Sequence, residues 1–354
     1  MIGLKSTNMM CSAPKRNMRL QARIGYGGPD YHKPQRNLAL DLVRVTESAA
    51  IGASRWLGKG DKYAADLCAV EEMRNMLNTI EMDGVVVIGE GEKDQSAMLY
   101  CGERVGNSHH PLKMDIAVDP LDGTTLVAGG RDGACSVISL SPRGTLYDPR
   151  KAFYMEKLCV GPKVPPDMVS LDSSTEHNLK VVSACLRKPL SEVTVVILDR
   201  PRHADLIQEC RDVGVRIKLI SDGDIDGAIS TCMPESGVDV LMGIGGSPEG
   251  VLAACALKIL GGSIQARLWA KDEKELDQME DDGYDFDKIL HTKDLCKGND
   301  VFFALTGVTD GGLVDGVRFV QDGATTHSIV MRSKSGTIRY ITTHHQWNDL
   351  DART

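Results

Sequence analysis

The sequence predicts an α/β fold, and three observations carry that expectation. Strand-like and helix-like segments alternate from about residue 179 to 262, the pattern of sheets layered against helices. Several apolar strands run straight into glycine-punctuated acidic turns, the place where α/β proteins put their chemistry. The chain has 354 residues and is 42% hydrophobic, enough for two domains with sizeable cores.

The elements follow in order. The first 29 residues hold five basic residues and no acidic one. That composition suits either an organelle transit peptide or a disordered extension, and residues 1–35 are read as the extension. Leu38, Leu42, Val45 and Ala49 recur at helical spacing, with Gly58 and Gly60 to end the helix. Asp61 opens a second helical pattern through Leu67, Val70, Met73 and Leu77. Strands are predicted at 85–88, 115–118, 135–140, 179–183, 193–198, 215–220, 238–242 and 301–305. A helix over 203–213 closes at Gly214, and another begins with Ser247 as N-cap and Pro248 as first helical residue and closes at Gly261. Residues 272–294 hold ten Asp and Glu against three Lys and read as a solvated helix or loop. A strand pair near 328–332 and 337–342 is placed to return to the first domain. The predicted partition is an extension over 1–35, an N-terminal α/β domain over 36–178 and a C-terminal α/β domain over 179–354.

Net charge is −8, which argues against nucleic acid or an anionic membrane as partner. No apolar run in the sequence approaches the roughly 20 residues that span a bilayer. Ten cysteines stand singly, with no Cys-x-x-Cys pair, which speaks against zinc ribbons. Many lie in apolar stretches, as Cys135 does. They read as buried reduced thiols of an intracellular protein, so the expected address is cytoplasmic, with a plastid as the alternative.

The densest chemical signal is Asp115-Ile116-Ala117-Val118-Asp119-Pro120-Leu121-Asp122-Gly123-Thr124. An apolar strand meets Pro120, which is expected to end it, and Gly123 supplies a turn that a side chain would obstruct. Asp119 and Asp122 can face one point, with turn N–H groups and the Thr124 hydroxyl on the same space. Carboxylates suit hard divalent cations and turn N–H groups suit phosphate oxygens. The 85–88 strand likewise runs into Gly89-Glu90-Gly91-Glu92-Lys93-Asp94, where Glu90 is a natural metal ligand and Asp94 can orient a water. At the second helix Asp61 is a cap candidate, Lys62 can meet a phosphate, and Asp66 either serves the helix dipole or points across to the strand ends. Gly245-Gly246-Ser247-Pro248-Glu249 is a helix start suited to phosphate or metal, with Gly246 allowing close approach. Arg200-Pro201-Arg202 forms a fork able to grip a phosphate. Asp222-Gly223-Asp224 offers acceptors for sugar hydroxyls, and Tyr154 is either a core aromatic or a ligand contact.

Asp119-Pro120-Leu121-Asp122-Gly123-Thr124 resembles the signature of the metal-dependent, lithium-sensitive sugar-phosphatase superfamily. In combination with the 44–50 segment, Gly60-Asp61-Lys62, the 87–92 loop, the 154–158 segment, Pro201-Arg202-His203, the 221–224 turn and the 243–250 segment, it resembles class II fructose-1,6-bisphosphatases. The cyanobacterial-type variants that also act on sedoheptulose 1,7-bisphosphate are similar too. The likeness covers about residues 36 to 342.

The resemblance implies a layered α/β/α/β sugar-phosphatase fold with two sheet-containing domains, the first binding metal and the second substrate. It implies Mg²⁺ or Mn²⁺ as cofactor, a sugar bisphosphate substrate cleaved at its 1-phosphate, and a homodimer or homotetramer. By motif matching, the metal ligands are Asp66, Glu90, Asp119, Asp122 and Glu249. The Asp122-Gly123-Thr124 turn holds the phosphate being cleaved, and Tyr154, Arg200, Pro201, Arg202, Asp222, Gly223, Asp224 and Gly246 hold the rest. Lys62, Asp94 and Thr124 support the chemistry. Many class II members carry Glu where this chain has Asp122, which puts metal spacing at that position in question. The alternatives are an inositol- or nucleotide-phosphate phosphatase of the same superfamily and a non-enzymatic metal-binding relative.

Overall fold

The computed structural model describes residues 37–91 and 98–347. The described residues all fall in one compact unit. The unit opens with helices α1 (Ala39–Ser54) and α2 (Lys62–Leu77), then strands β1 (Asp83–Ile88), β2 (Arg104–Gly106) and β3 (Lys113–Asp122). A short helix α3 (Thr124–Ala128) leads to β4 (Cys135–Pro142) and β5 (Tyr154–Val160). Then follow α4 (Thr175–Leu186), β6 (Thr194–Leu198), α5 (Ala204–Val213), β7 (Arg216–Ile220), α6 (Asp224–Ser230), β8 (Val240–Gly246) and α7 (Ser247–Leu260). The chain continues through β9 (Ser263–Trp269), α8 (Glu273–Asp281), β10 (Leu290–His291), α9 (Thr292–Leu295), β11 (Phe302–Gly307), β12 (Arg318–Val320), β13 (Gly323–Arg332) and β14 (Thr337–Gln346).

Two sheets result. The first runs β12-β13-β11-β4-β3-β1-β2, with β14 paired to β13, and the second runs β10-β9-β5-β8-β6-β7. The C-terminal strands do rejoin the first sheet, while β5 belongs to the second. β1 and β3 are parallel, so their C-terminal ends face the same way and deliver their following loops to one place.

Three cores tie the layers together. Leu42, Val45 and Ala49 of α1, with Ala69 and Met73 of α2, pack on Ile116, Val118, Ile138 and Ala304 of the first sheet. The other face of that sheet, through Val137, Phe303 and Leu305, meets Val251, Leu252, Cys255 and Leu257 of α7, which also touch Met155 and Cys159 of the second sheet. The far face of the second sheet buries Leu158, Val195, Ile197 and Val240 under Leu179 and Val182 of α4 and Ile207 and Cys210 of α5. The protein is thus a layered α/β structure with two sheets, and α4 and α5 add a fifth layer to the four expected.

That fifth layer comes with a correction. Residues 179–183 are helix, not strand: α4 begins at N-cap Ser174, whose side chain accepts from His177 N–H, and it buries Leu179 and Val182 on one face. The apolar run Leu179-Lys180-Val181-Val182 satisfies both periods, and the cap three residues before His177 decides for helix. Pro120 does not end β3, which runs on to Asp122 with its register against β4 broken between Asp119 and Asp122. An irregularity of this kind is where a strand tolerates a residue with no N–H. The N-cap of α7 is Gly246, not Ser247, and Pro248 stands one position later than expected. Among the described residues no helix is long and apolar enough to cross a membrane, and the nine cysteines there are unbridged.

Candidate active site

Five elements, α2, β1, β3, β7 and α7, deliver carboxylates to one cavity. Its volume is about 640 Å³, and Asp66, Glu90, Asp119, Asp122, Asp222 and Glu249 stand in its wall with Gly123 and Thr124. Asp66 comes from the first turns of α2, held in place because Asp61 caps that helix and accepts from Ala64 N–H at 3.0 Å. Glu90 follows β1, where its own N–H donates to Leu99 O at 2.9 Å. A Cβ on Gly89 would lie 2.0 Å from that same carbonyl, so only glycine lets the loop lie down here. Asp119 and Asp122 flank the irregularity in β3, which turns both to the cavity side. Gly123 follows with φ of 97°, the left-handed region that glycine enters freely. Glu249 arrives from the second sheet through the first turn of α7.

The electrostatics are those of concentrated like charge. Burial first, then the charges of Asp122, Glu249, Glu90 and Asp66, holds the Asp119 carboxyl well above the usual carboxylate range. Asp122 is raised in the same way, by burial and then by Asp224, Glu249, Asp222 and Asp226. Glu90 is pushed up to about 8 by burial, with Asp66 and Glu249 adding to it. Burial also raises Asp66 and Glu249. Asp122 Oδ2 and Glu249 Oε2 are buried with no hydrogen-bond partner. Buried polar atoms are almost always paired, so two orphaned carboxylate oxygens in one wall are a strong local demand for positive charge. Among the described residues no group of three or more His, Cys, Asp or Glu side chains is drawn close enough to grip a metal ion. The carboxylates line the cavity without closing on one point.

The remaining predicted residues sit around that cavity or away from it. Asp224, the first residue of α6, is buried and its Oδ2 pairs with Lys157 Nζ at 2.6 Å. Gly246 lies against Glu249, and a Cβ there would come within 1.8 Å of Glu249 Oε2. Arg200 Nη2 stands 3.5 Å from Asp222 Oδ1, while Arg202 donates to Ile244 O at 2.8 Å, its guanidinium 5.0 Å from the Tyr154 ring centroid. Pro201 opens a 3-10 turn over Pro201–His203, so the two arginines engage different partners and do not form a parallel fork. Gly223 caps α6 at φ of 82°. Lys62 is exposed, with Nζ 5.1 Å from the Tyr63 ring centroid. Asp94 lies outside the described residues.

The profile of bacterial fructose-1,6-bisphosphatases, glpX-encoded, matches residues 36–345. The chain belongs to this family. The D-fructose 1,6-bisphosphatase class 2/sedoheptulose 1,7-bisphosphatase of Trichodesmium erythraeum is 41% identical over 336 residues, covering 88% of this chain and 97% of its own length. The protein of the same description from Thermosynechococcus vestitus is 41% identical over 336 residues, with 88% and 96% covered. Among solved structures, the suhB extragenic suppressor protein of Bartonella henselae overlaps 56% of this chain and 74% of its own at 17% identity and a TM-score of 0.32, too little to bear on the fold.

Two residues inside the quoted motifs, Lys157 and His203, carry no role of their own in the sequence. Lys157 is buried beside the acidic cavity, and the signal for it was a lysine on the same face of β5 as Met155 and Cys159. His203 is buried with Nδ1 2.7 Å from Leu198 O, and its Nε2 accepts from Ile244 N–H at 2.7 Å. That pair of contacts makes the ring a neutral strut under the 243–246 segment, and burial keeps its pKa below the usual value.

Proposed function

We propose that the protein is a metal-dependent phosphatase that hydrolyses the 1-phosphate of fructose 1,6-bisphosphate and accepts sedoheptulose 1,7-bisphosphate as a second substrate. The observation that carries this reading is the gathering of Asp66, Glu90, Asp119, Asp122 and Glu249 from four elements into one cavity, in a chain of this family. A surplus of buried carboxylates costs stability unless something positive joins them. The two orphaned oxygens of Asp122 and Glu249 fit a divalent cation with oxygen ligands, Mg²⁺ or Mn²⁺. Asp66, Glu90, Asp119, Asp122 and Glu249 are the residues that would hold it. When bound, such an ion neutralises phosphate charge and makes water a better nucleophile near neutral pH.

The chain's own residues supply the rest. Turn N–H groups and the Thr124 hydroxyl receive the oxygens of the reacting phosphate beside Asp122 and Gly123. Asp94 and Thr124 orient the attacking water, and Lys62 approaches the phosphate from the start of α2. Water adds to phosphorus as the sugar's C1 oxygen departs and takes up a proton, leaving inorganic phosphate and a sugar monophosphate. Arg200, Pro201, Arg202 and Tyr154 hold the distal phosphate, and Asp222, Gly223, Asp224 and Gly246 hold the sugar. Binding energy from that remote end orients the reacting end. A cytoplasmic homodimer or homotetramer completes this reading.

Phosphate release from fructose 1,6-bisphosphate, sedoheptulose 1,7-bisphosphate, fructose 6-phosphate and inositol 1-phosphate, each with Mg²⁺ or Mn²⁺, tests it. Turnover of the bisphosphates and poor turnover of the two monophosphates is expected. Preference for inositol 1-phosphate would contradict it.

A further inference from the structure

Lys157 occupies a position that the fold has cleared for it. In β5 it points to the same face as Met155 and Cys159, which are fully buried in the core between the sheets. Lys157 itself is 3% exposed, and Nζ lies 2.6 Å from Asp224 Oδ2. Its path runs between two glycines. A Cβ on Gly250 of α7 would lie 3.5 Å from Lys157 Cε, and a Cβ on Gly245 of β8 would lie 3.0 Å from Nζ and 2.0 Å from Asp224 Oδ2. β5 pairs with β8 so that Met155 faces Gly245, which sets the glycine beside the lysine's arm. A buried ion pair is a poor route to stability compared with apolar packing, and an apolar side chain at 157 would continue the row of Met155 and Cys159. The lysine also lines a second cavity of about 230 Å³ together with Arg202 and His203. It therefore stands between the Arg202 region and Asp224.

We propose that Lys157 is a positioning residue for substrate binding, which locks the Asp224 carboxylate in one orientation. The proposal rests on the reading that Asp224 binds the sugar bisphosphate. Asp224 begins a seven-residue helix, so its backbone alone leaves the side chain several rotamers. The ammonium favours the one that brings Oδ2 to Nζ, and the absence of a side chain at Gly245 leaves the room that this arrangement needs. Lys157 touches no reacting atom in this scheme and acts through Asp224.

The test is a double-mutant cycle of Lys157→Met and Asp224→Asn, read as KM and kcat for fructose 1,6-bisphosphate at saturating Mg²⁺ and as melting temperature. Met keeps the length of the arm, and the double variant removes both buried charges, so it folds even where Lys157→Met alone is strained. Lys157→Met is expected to raise KM by about 10- to 100-fold, the worth of one charge-assisted contact, with a smaller change in kcat. The double variant should melt higher than Lys157→Met yet keep the raised KM of Asp224→Asn and no more, because the two residues act as one unit. A parental KM in Lys157→Met, or KM losses that add fully in the double variant, would overturn the role of Lys157 while Asp224 stands. A parental KM in Asp224→Asn would overturn the assignment of Asp224 and the role of Lys157 with it.

Discussion

Glu90 leaves β1 into a wall already charged by Asp66 and Glu249, and its carboxyl is pushed up to about 8 from an ordinary value of 4.5. A raised pKa means that the folded chain holds this proton more tightly than the unfolded one. The stabilising contribution is therefore present below about 4.5 and is lost as pH rises through about 8. Asp119 and Asp122 are raised in the same direction. The metal-free protein should melt lower at pH 9 than at pH 6, by on the order of 5 °C. Glu90→Gln should flatten that slope, which thermal unfolding in EDTA across this range checks; an equal slope in both proteins would mean that Glu90 is not part of the acidic wall. Much of the wall was legible residue by residue, because Asp119-Pro120-Leu121-Asp122-Gly123-Thr124 and Gly89-Glu90-Gly91 put acids at strand ends. Asp61 as a cap was legible too, and the structure bears it out. Lys157 was legible only through its alternation with Met155 and Cys159; its partner Asp224, 67 residues away, has no mark in the local sequence.

At the scale of elements, the start of α7 shows how a helix end can be shaped by one side chain. Gly246 was expected to admit a ligand; in the structure, the Glu249 carboxylate folds back over it, and a Cβ would come within 1.8 Å of Oε2. Gly246 has φ of −64° and ψ of 144°, which alanine adopts without strain. Gly246→Ala should therefore fold normally, with a melting temperature for the metal-free protein within about 2 °C of the parent. It should displace Glu249 and raise the Mg²⁺ concentration needed for half-maximal activity about tenfold or more. An unchanged Mg²⁺ requirement would remove Glu249 from the ligand set. Leu179-Lys180-Val181-Val182 fits strand and helix alike, and the Ser174 cap together with burial of Leu179 and Val182 under one face separates them. Pro120 stays inside β3 because the register against β4 breaks there, a tertiary fact with no local mark. Capping of α7 slipped by one because Ser247, a good cap on its own, is buried and takes the first helical position.

At the scale of the whole molecule, two sheets share α7 as a middle layer, and the acidic cavity lies where that helix begins and where β1 and β3 end. Asp66, Glu90, Asp119 and Asp122 come with the first sheet's elements, and Glu249 comes with the second. The layering was readable from alternating segments, since each strand and helix carries its own period. The meeting of Glu249 with Asp119 was not, because no spacing within either motif encodes a distance across α7. We propose that this wall of acids holds divalent cations for phosphate-ester hydrolysis. The most direct measurement strips the protein with EDTA, titrates Mg²⁺ or Mn²⁺ back, and follows both ion binding by calorimetry and phosphate release from fructose 1,6-bisphosphate, with Asp119→Asn beside the parent. Binding and turnover that rise together in the parent, and are both lost in a folded Asp119→Asn variant, are the expected result. Full turnover in EDTA, or an Asp119→Asn variant that binds the ions and turns over like the parent, would contradict it.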